Sequence, residues 1–188
     1  MSRIVVFKIT GLSPLLCNNP ASMGGRNESG VGMKRIPTPE EEAKGKVYLD
    51  ADGSYYILSE AFRSSMIGKG GGASGRRIGK YTAISRCCAG VFTVEPRATL
   101  LDAKTLKPIK HYKIDTRRAV VQNQGVLRSR PMFENWAVRL PIEIDEDFIT
   151  PNQVHDLLNM SGKVAGVGDF RPQRKGTFGR YIAEIEAE

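Results

Sequence analysis

Residues 135–145 read Asn-Trp-Ala-Val-Arg-Leu-Pro-Ile-Glu-Ile-Asp and show the clearest alternation in the chain. Every second side chain from position 138 to position 144 is apolar, and the charged residues Arg139, Glu143 and Asp145 lie on the other face, which is typical of a strand with one buried face. The apolar residues are Val138, Leu140, Ile142 and Ile144. Pro141 has no N–H to give to a ladder, so the pattern predicts either an edge strand or a position that does not donate.

The segments after this strand predict a helix and a last strand. Thr150 and Pro151 are typical of an N-cap and first helical position, and Val154, Leu157, Leu158 and Val164 mark the buried side. A glycine-rich stretch follows at residues 166–180, which we call the glycine loop. Residues 181–185 predict a short closing strand.

The segments before residue 135 predict further strands around at least one helix. Residues 3–10 alternate as a strand, and residues 46–50 and 54–58 flank an Ala-Asp-Gly turn that indicates a hairpin. Ser59 is expected to cap a helix that buries Phe62, Met66 and Ile67 on one face. The remaining predictions are helix over residues 78–88, strands over 90–95, 98–101 and 110–114, and a projecting hairpin or loop over 120–130.

This order of elements predicts one α+β domain over residues 1–188, with helices packed on one face of a sheet. Three segments are predicted to be insertions. They are a polar arm at residues 18–46 and basic loops at about 68–80 and 102–132.

Charge is segregated along the chain, whose net charge is +8. Sixteen Lys and Arg residues lie between positions 63 and 139 against four acidic residues. Such a distribution favours a polyanionic partner, because cations along a groove can track a phosphate backbone. A solvated basic face without a ligand is the alternative.

Two glycine-rich segments carry cations and are candidate phosphate contacts. The glycine loop contains Arg171, Arg174, Lys175 and Arg180, and bare N–H groups in such a loop can hold an anion. It lacks the Gly-Lys-Ser/Thr ending of a Walker loop, and no strand precedes it as in a dinucleotide-binding fingerprint, so it matches neither of these two motifs. Residues 68–77 are the second segment. The alternative for both is a flexible connector.

Four stretches carry a family likeness. They are ITGLSPLL at 9–16, YYILSEAFRSSM at 55–66, YKIDTRR at 112–118 followed by GVL at 125–127 and FE at 133–134, and GTFGRY at 176–181. Together, and in this order, they resemble the RAMP superfamily of CRISPR-associated proteins, in particular the backbone subunits of effector complexes that line up along a guide RNA. The resemblance implies a ferredoxin-like (RRM-like) antiparallel sheet with helices on one face and long insertions that form a thumb and an arm.

Charge and resemblance together predict a non-catalytic protein that binds single-stranded RNA or DNA, without sequence preference, beside other copies of itself and other effector subunits. Met132, Phe133 or residues 18–34 of the polar arm are candidates to wedge between bases. The predicted nucleic-acid contacts are Lys69, Arg76, Arg77, Lys80, Arg117, Arg118, Arg128, Arg130, Arg174, Lys175 and Arg180.

Two other functions stay open. A RAMP-type endoribonuclease would need a group that titrates near neutrality, and the candidates are His111, which lies between lysines, and His155. Asp115 is a weaker catalytic candidate, because pairing with Arg117 or Arg118 also explains it. A phage-type filament protein or a mimic of an effector subunit is the other alternative.

The remaining residues point to no cofactor and no metal. Cys17, Cys87 and Cys88 have neither a disulfide framework nor a zinc spacing. Residues 1–17 lack the features of a signal peptide, and no apolar run suits a membrane span. We therefore expect a cytoplasmic protein without a membrane partner.

Overall fold

The computed structural model describes residues 1–20, 37–121 and 124–186. The strands are β1 (Ser2–Gly11), β2 (Leu15–Leu16), β3 (Tyr56–Leu58), β4 (Arg77–Ile78), β5 (Tyr81–Thr82), β6 (Val91–Thr93), β7 (Arg97–Thr99), β8 (Leu101–Asp102), β9 (Lys113–Val121), β10 (Gln124–Phe133), β11 (Trp136–Asp145) and β12 (Tyr181–Ile185). The helices are α1 (Pro39–Gly45), α2 (Glu60–Ile67), α3 (Ala83–Gly90) and α4 (Pro151–Val164).

The central sheet has the strand order β12-β1-β11-β6, and every neighbouring pair is antiparallel. Helices α2 and α3 lie between β1 and β6 in the chain, and α4 lies between β11 and β12. Two β-α-β units split by each other's strands define the ferredoxin-like arrangement. The predicted α+β, ferredoxin-like fold is therefore confirmed by the topology itself.

The core lies between this sheet and the helices. All four apolar residues of β11 named above are fully buried, as are Phe7 and Ile9 of β1. The Phe62 ring of α2 contacts the Tyr181 ring of β12 edge-on, with 5.4 Å between the ring centres, so α2 packs directly on the last strand. Burying each such side chain contributes about 1.5–3 kcal/mol.

Pro141 occupies a central strand and not an edge. Its partner Val6 on β1 points its carbonyl away from β11, where it accepts from the Glu186 N–H at 3.0 Å. The Pro141 carbonyl accepts from the Val94 N–H at 3.3 Å, so the proline nitrogen faces the side where β6 has ended at Thr93. The edge-strand prediction is wrong, and the prediction of a non-donating position is confirmed.

Strands β9 and β10 form a long two-stranded ribbon, so of the two alternatives predicted for residues 120–130, a hairpin or a loop, the structure has the hairpin. Helix α1 closes one edge of it with side chains: the Glu42 carboxylate accepts from the Ser129 N–H at 2.8 Å, and the Lys46 ammonium donates to the Ser129 carbonyl at 3.0 Å. Burial alone would raise the pKa of Glu42, but hydrogen bonds from Lys46, Ser129 and Arg128 outweigh it and lower that pKa.

Several local predictions are wrong for identifiable reasons. Within the predicted arm, Thr38 and Glu41 form a capping box that starts α1, while residues 21–36 of that arm lie outside the described part of the chain. Residues 77–82 form the β4–β5 hairpin and not a helix, with Gly79 at a φ of 58° in its turn. Ser59 makes no capping hydrogen bond, and Val164 is exposed.

The start of α4 is as the sequence predicts. Thr150 and Gln153 form a reciprocal capping box at the start of α4, with Pro151 in the first turn. Across the described residues, the helices are all too short or too polar to cross a bilayer.

Candidate nucleic-acid interface

The glycine loop is held in one conformation by main-chain hydrogen bonds. Within the loop, the Val167 N–H donates to the Gly179 carbonyl at 2.9 Å and the Phe178 N–H to the Phe170 carbonyl at 3.1 Å. A Cβ on Gly179 would lie 1.8 Å from the Val167 carbonyl oxygen, and its φ is 64°. At this position glycine allows the chain to pack against itself, so the loop is more than a flexible connector.

Two arginines of the ribbon stack on two phenylalanines of the glycine loop. The Arg117 guanidinium carbon lies 4.4 Å from the centre of the Phe178 ring, and that of Arg130 lies 5.0 Å from the centre of the Phe170 ring. Cation–π contacts of this kind contribute about 0.5–2 kcal/mol each. One face of the ribbon is therefore fixed to the loop.

Both stacked arginines are also paired with carboxylates. The Arg117 Nε lies 2.6 Å from Asp115, as expected from the sequence, and the Arg130 Nε lies 2.5 Å from Asp169. Arg130 is only 8% exposed, and its Nη1 has no partner within the described residues. Arg130 was predicted to contact nucleic acid, but its burial makes it a support of the loop.

The cations of the loop itself are exposed. Arg174, Lys175 and Arg180 form no ion pair with any described carboxylate, and Lys175 sits at the left-handed end of a short 3-10 turn, with a φ of 62°. Lys69 joins this group, because its carbonyl accepts from the Gln173 side chain at 2.5 Å. We call these four cations the loop group.

The other predicted contacts lie elsewhere. Arg128 pairs with Glu42 at 3.2 Å and is half-buried. Arg118 is opposite Leu127 in the register, so its side chain lies on the ribbon face turned away from Arg117. The predicted cations of the ribbon therefore do not all line one groove.

Arg76, Arg77 and Lys80 form a second basic patch on the β4–β5 hairpin, which packs on α3. Beside it, the Arg86 guanidinium carbon lies 4.1 Å from the centre of the Tyr81 ring. We call the three exposed cations Arg76, Arg77 and Lys80 the hairpin group.

A lysine-rich groove was not among the predicted contacts. Lys107, Lys110, His111 and Lys113 line a cavity of about 390 Å³, with Glu134 paired to Lys113 at 2.8 Å. The spacing of the four lysines from position 104 to position 113 could have predicted this basic groove.

The predicted wedges differ in exposure. Phe133 is buried, with its ring 5.4 Å from that of Tyr55 and 6.0 Å from that of Tyr112, so it cannot enter a base stack. Met132 lines the lysine groove and stays a candidate.

The titratable candidates occupy different environments. His155 contacts Asn159 at 3.0 Å on α4, and His111 is exposed. Burial raises the pKa of Cys17 to about 12 and that of Cys87 to about 11, so both thiols stay protonated at neutral pH. The described residues contain no group of His, Cys, Asp and Glu arranged to hold a metal ion.

Comparison with known proteins adds a structural likeness. No family model and no curated protein sequence matches the chain. Among solved structures, the chain is similar to the crystal structure of Cmr6 from Pyrococcus furiosus, with a TM-score of 0.48 and 9% identity over 98% of this chain and 99% of that chain. A likeness this weak supports no functional statement, and the fold assignment rests on the strand order. The resemblance to the RAMP superfamily stays a prediction from the sequence motifs.

Proposed function

We propose that this protein binds single-stranded nucleic acid through the loop group, without catalysis, as a repeated subunit that coats a guide RNA in a CRISPR-type effector complex. The observation that carries the binding proposal is the loop group itself. Four exposed cations without carboxylate partners in the described chain lie on and beside a loop whose main chain is held rigid. The guide-RNA part rests on the sequence motifs.

A rigid loop with outward cations suits backbone contact. Lysine and arginine side chains that neutralise phosphates release counterions, so affinity arises without reading the bases. The carboxylates nearest the loop are already occupied, Asp115 by Arg117 and Asp169 by Arg130, so they do not cancel the loop group. The net field at this surface is therefore positive.

The test is purification of the protein from its host, followed by nuclease digestion of whatever nucleic acid accompanies it. We expect protected single-stranded RNA whose lengths are multiples of one unit, since neighbouring copies would each cover one segment. A preparation that carries no nucleic acid, and that does not bind labelled oligonucleotides in low-salt buffer, contradicts the proposal. Protection of single-stranded DNA would favour the phage-type filament protein.

The lysine groove favours one second candidate, a metal-independent endoribonuclease. His111 lies in that groove among three lysines, where an RNA phosphate could sit beside an imidazole. Labelled RNA should then be cut by the wild type and left intact by His111→Ala. Equal amounts of product from the two proteins, or none from either, would eliminate this candidate.

A further inference from the structure

A cleft runs between α2 and the glycine loop, and the loop group does not account for it. It has a wide half of about 260 Å³ and a narrow half of about 110 Å³. Ala61, Gly168 and Arg171 line both halves, so the two adjoin each other. One wall is helix and the other is glycine-loop main chain.

The wide half combines apolar walls with a few polar groups. Tyr48, Ile57 and Leu58 provide apolar surface and Asn18 provides an amide, while the Asp169 carboxylate already accepts from Arg130 and from the Phe170 N–H. Predominantly apolar walls with a small number of convergent polar groups are typical of small-molecule sites. A planar heteroaromatic ring with hydrogen-bonding edges has the matching chemistry.

The narrow half is lined by residues with unused hydrogen-bond donors. The N–H groups of Gly168 and Arg171 donate to no atom of the described residues. The Arg171 guanidinium gives Nη1 to the Gly168 carbonyl at 2.8 Å and Nε to Gln173 at 3.1 Å, and its Nη2 has no described partner. Burial, and then the nearby Arg174, lower the pKa of Arg171, so its charge is poorly solvated and an incoming anion would compensate it.

We propose that this cleft binds one nucleotide, with the base in the wide half and the phosphate in the narrow half. The inference rests on the proposed function, because Gln173 lines the narrow half and contacts Lys69, so a strand held by the loop group would pass beside the cleft. The wide half is smaller than the roughly 300–1,000 Å³ of drug-sized pockets, so it has room for a single base. A free nucleoside monophosphate presents the same chemistry as a nucleotide within a strand.

The test titrates the wild type, Ala61→Met and Ala89→Met with three probes, which are nucleoside monophosphates, ribose phosphate and inorganic phosphate. Ala61 lines both halves of the cleft, so methionine there fills it. Ala89 is exposed on α3 and provides the same substitution away from the cleft. Binding is measured by calorimetry, and thermal melting establishes that both variants are folded.

We expect nucleoside monophosphates to bind the wild type and Ala89→Met equally, and Ala61→Met at least about tenfold more weakly. Ribose phosphate should bind the wild type about tenfold more weakly than the nucleotides do, because it lacks the base. This last comparison uses the wild type alone and holds even if Ala61→Met does not fold. Equal affinity for ribose phosphate and nucleotide, or equal nucleotide affinity of folded Ala61→Met and wild type, would overturn the inference.

A second experiment, with an oligonucleotide, separates this inference from the proposed function. A short single strand with one fluorescent purine analogue should show unstacking of that base on the wild type and less on Ala61→Met. If the strand binds with the expected salt dependence but the analogue stays stacked, the cleft inference fails and the proposed function stands. If nucleoside monophosphates bind and no strand does, the cleft is a free-nucleotide site and the proposed function fails.

Discussion

Replacing Arg174, Lys175 and Arg180 with glutamine should reduce the salt dependence of oligonucleotide binding. Each phosphate neutralised on a single strand contributes about 0.7 to the slope of log affinity against log salt. Three lost contacts therefore lower the slope by about 2. Between about 50 and about 200 mM salt, the wild type should lose about fifteenfold more affinity than the variant.

The assay is fluorescence anisotropy of a labelled single strand at several salt concentrations. The matched control replaces Arg76, Arg77 and Lys80 with glutamine, which removes the same charge from the exposed hairpin group. These are exposed positions, so both variants should unfold within about 0.5 kcal/mol of the wild type. Equal slopes for all three proteins would refute phosphate contact by the loop group, and a slope lowered only in the control would move the ligand to the hairpin group.

Three further predictions concern how the site is held. Arg130→Met leaves the Asp169 carboxylate without its partner. Because 26% of the Asp169 side chain is exposed, we expect the free energy of unfolding in urea to fall by about 2–3 kcal/mol, less than the roughly 3–5 kcal/mol of a fully buried pair. Adding Asp169→Asn should restore most of this loss. The pKa of Glu42 is lowered in the folded state, so its ionised carboxylate stabilises the fold above its ordinary pKa of 4.5, and this stabilisation is lost as the pH falls through the folded-state pKa. Glu42→Gln should therefore lose less thermal stability than the wild type between neutral and acid pH. The same pH dependence of melting in both proteins would contradict this role of Glu42. Gly162→Ala would place a methyl 2.0 Å from the Tyr181 carbonyl oxygen, which should cost about 1–3 kcal/mol in unfolding and raise hydrogen exchange in β12. An unchanged free energy of unfolding would contradict this contact.

The central fold was predictable because its strands and α4 carry strong local signals. The alternation of β11 and the capping residues of α4 each point to one structure, and tertiary packing agrees with them. The strand order was available only through the family resemblance, since local patterns do not encode which strands become neighbours. The β4–β5 hairpin was missed because a turn at Gly79 decides it, while the apolar residues around it also suit a helix.

The candidate site was predictable in composition and not in arrangement. The sequence identified the glycine loop and its cations, but Arg117 and Arg118 are adjacent, and only the register of the ribbon shows that they face opposite sides. Arg130 was counted as a surface cation, because its pairing with Asp169 depends on contact between segments 39 residues apart. The cleft beside α2 has no sequence signature, since Tyr48, Ala61 and Arg171 come from three distant segments.

The closure of the β10 edge by α1 limits how this protein can associate through its main chain. Both main-chain groups of Ser129 are occupied by side chains, while β9 is the outermost strand of its sheet. Endless cross-β growth requires two templating edges per molecule, and this ribbon offers one. Strand addition between copies through this ribbon is therefore directed to β9, apart from the edges that β12 and β6 form in the central sheet.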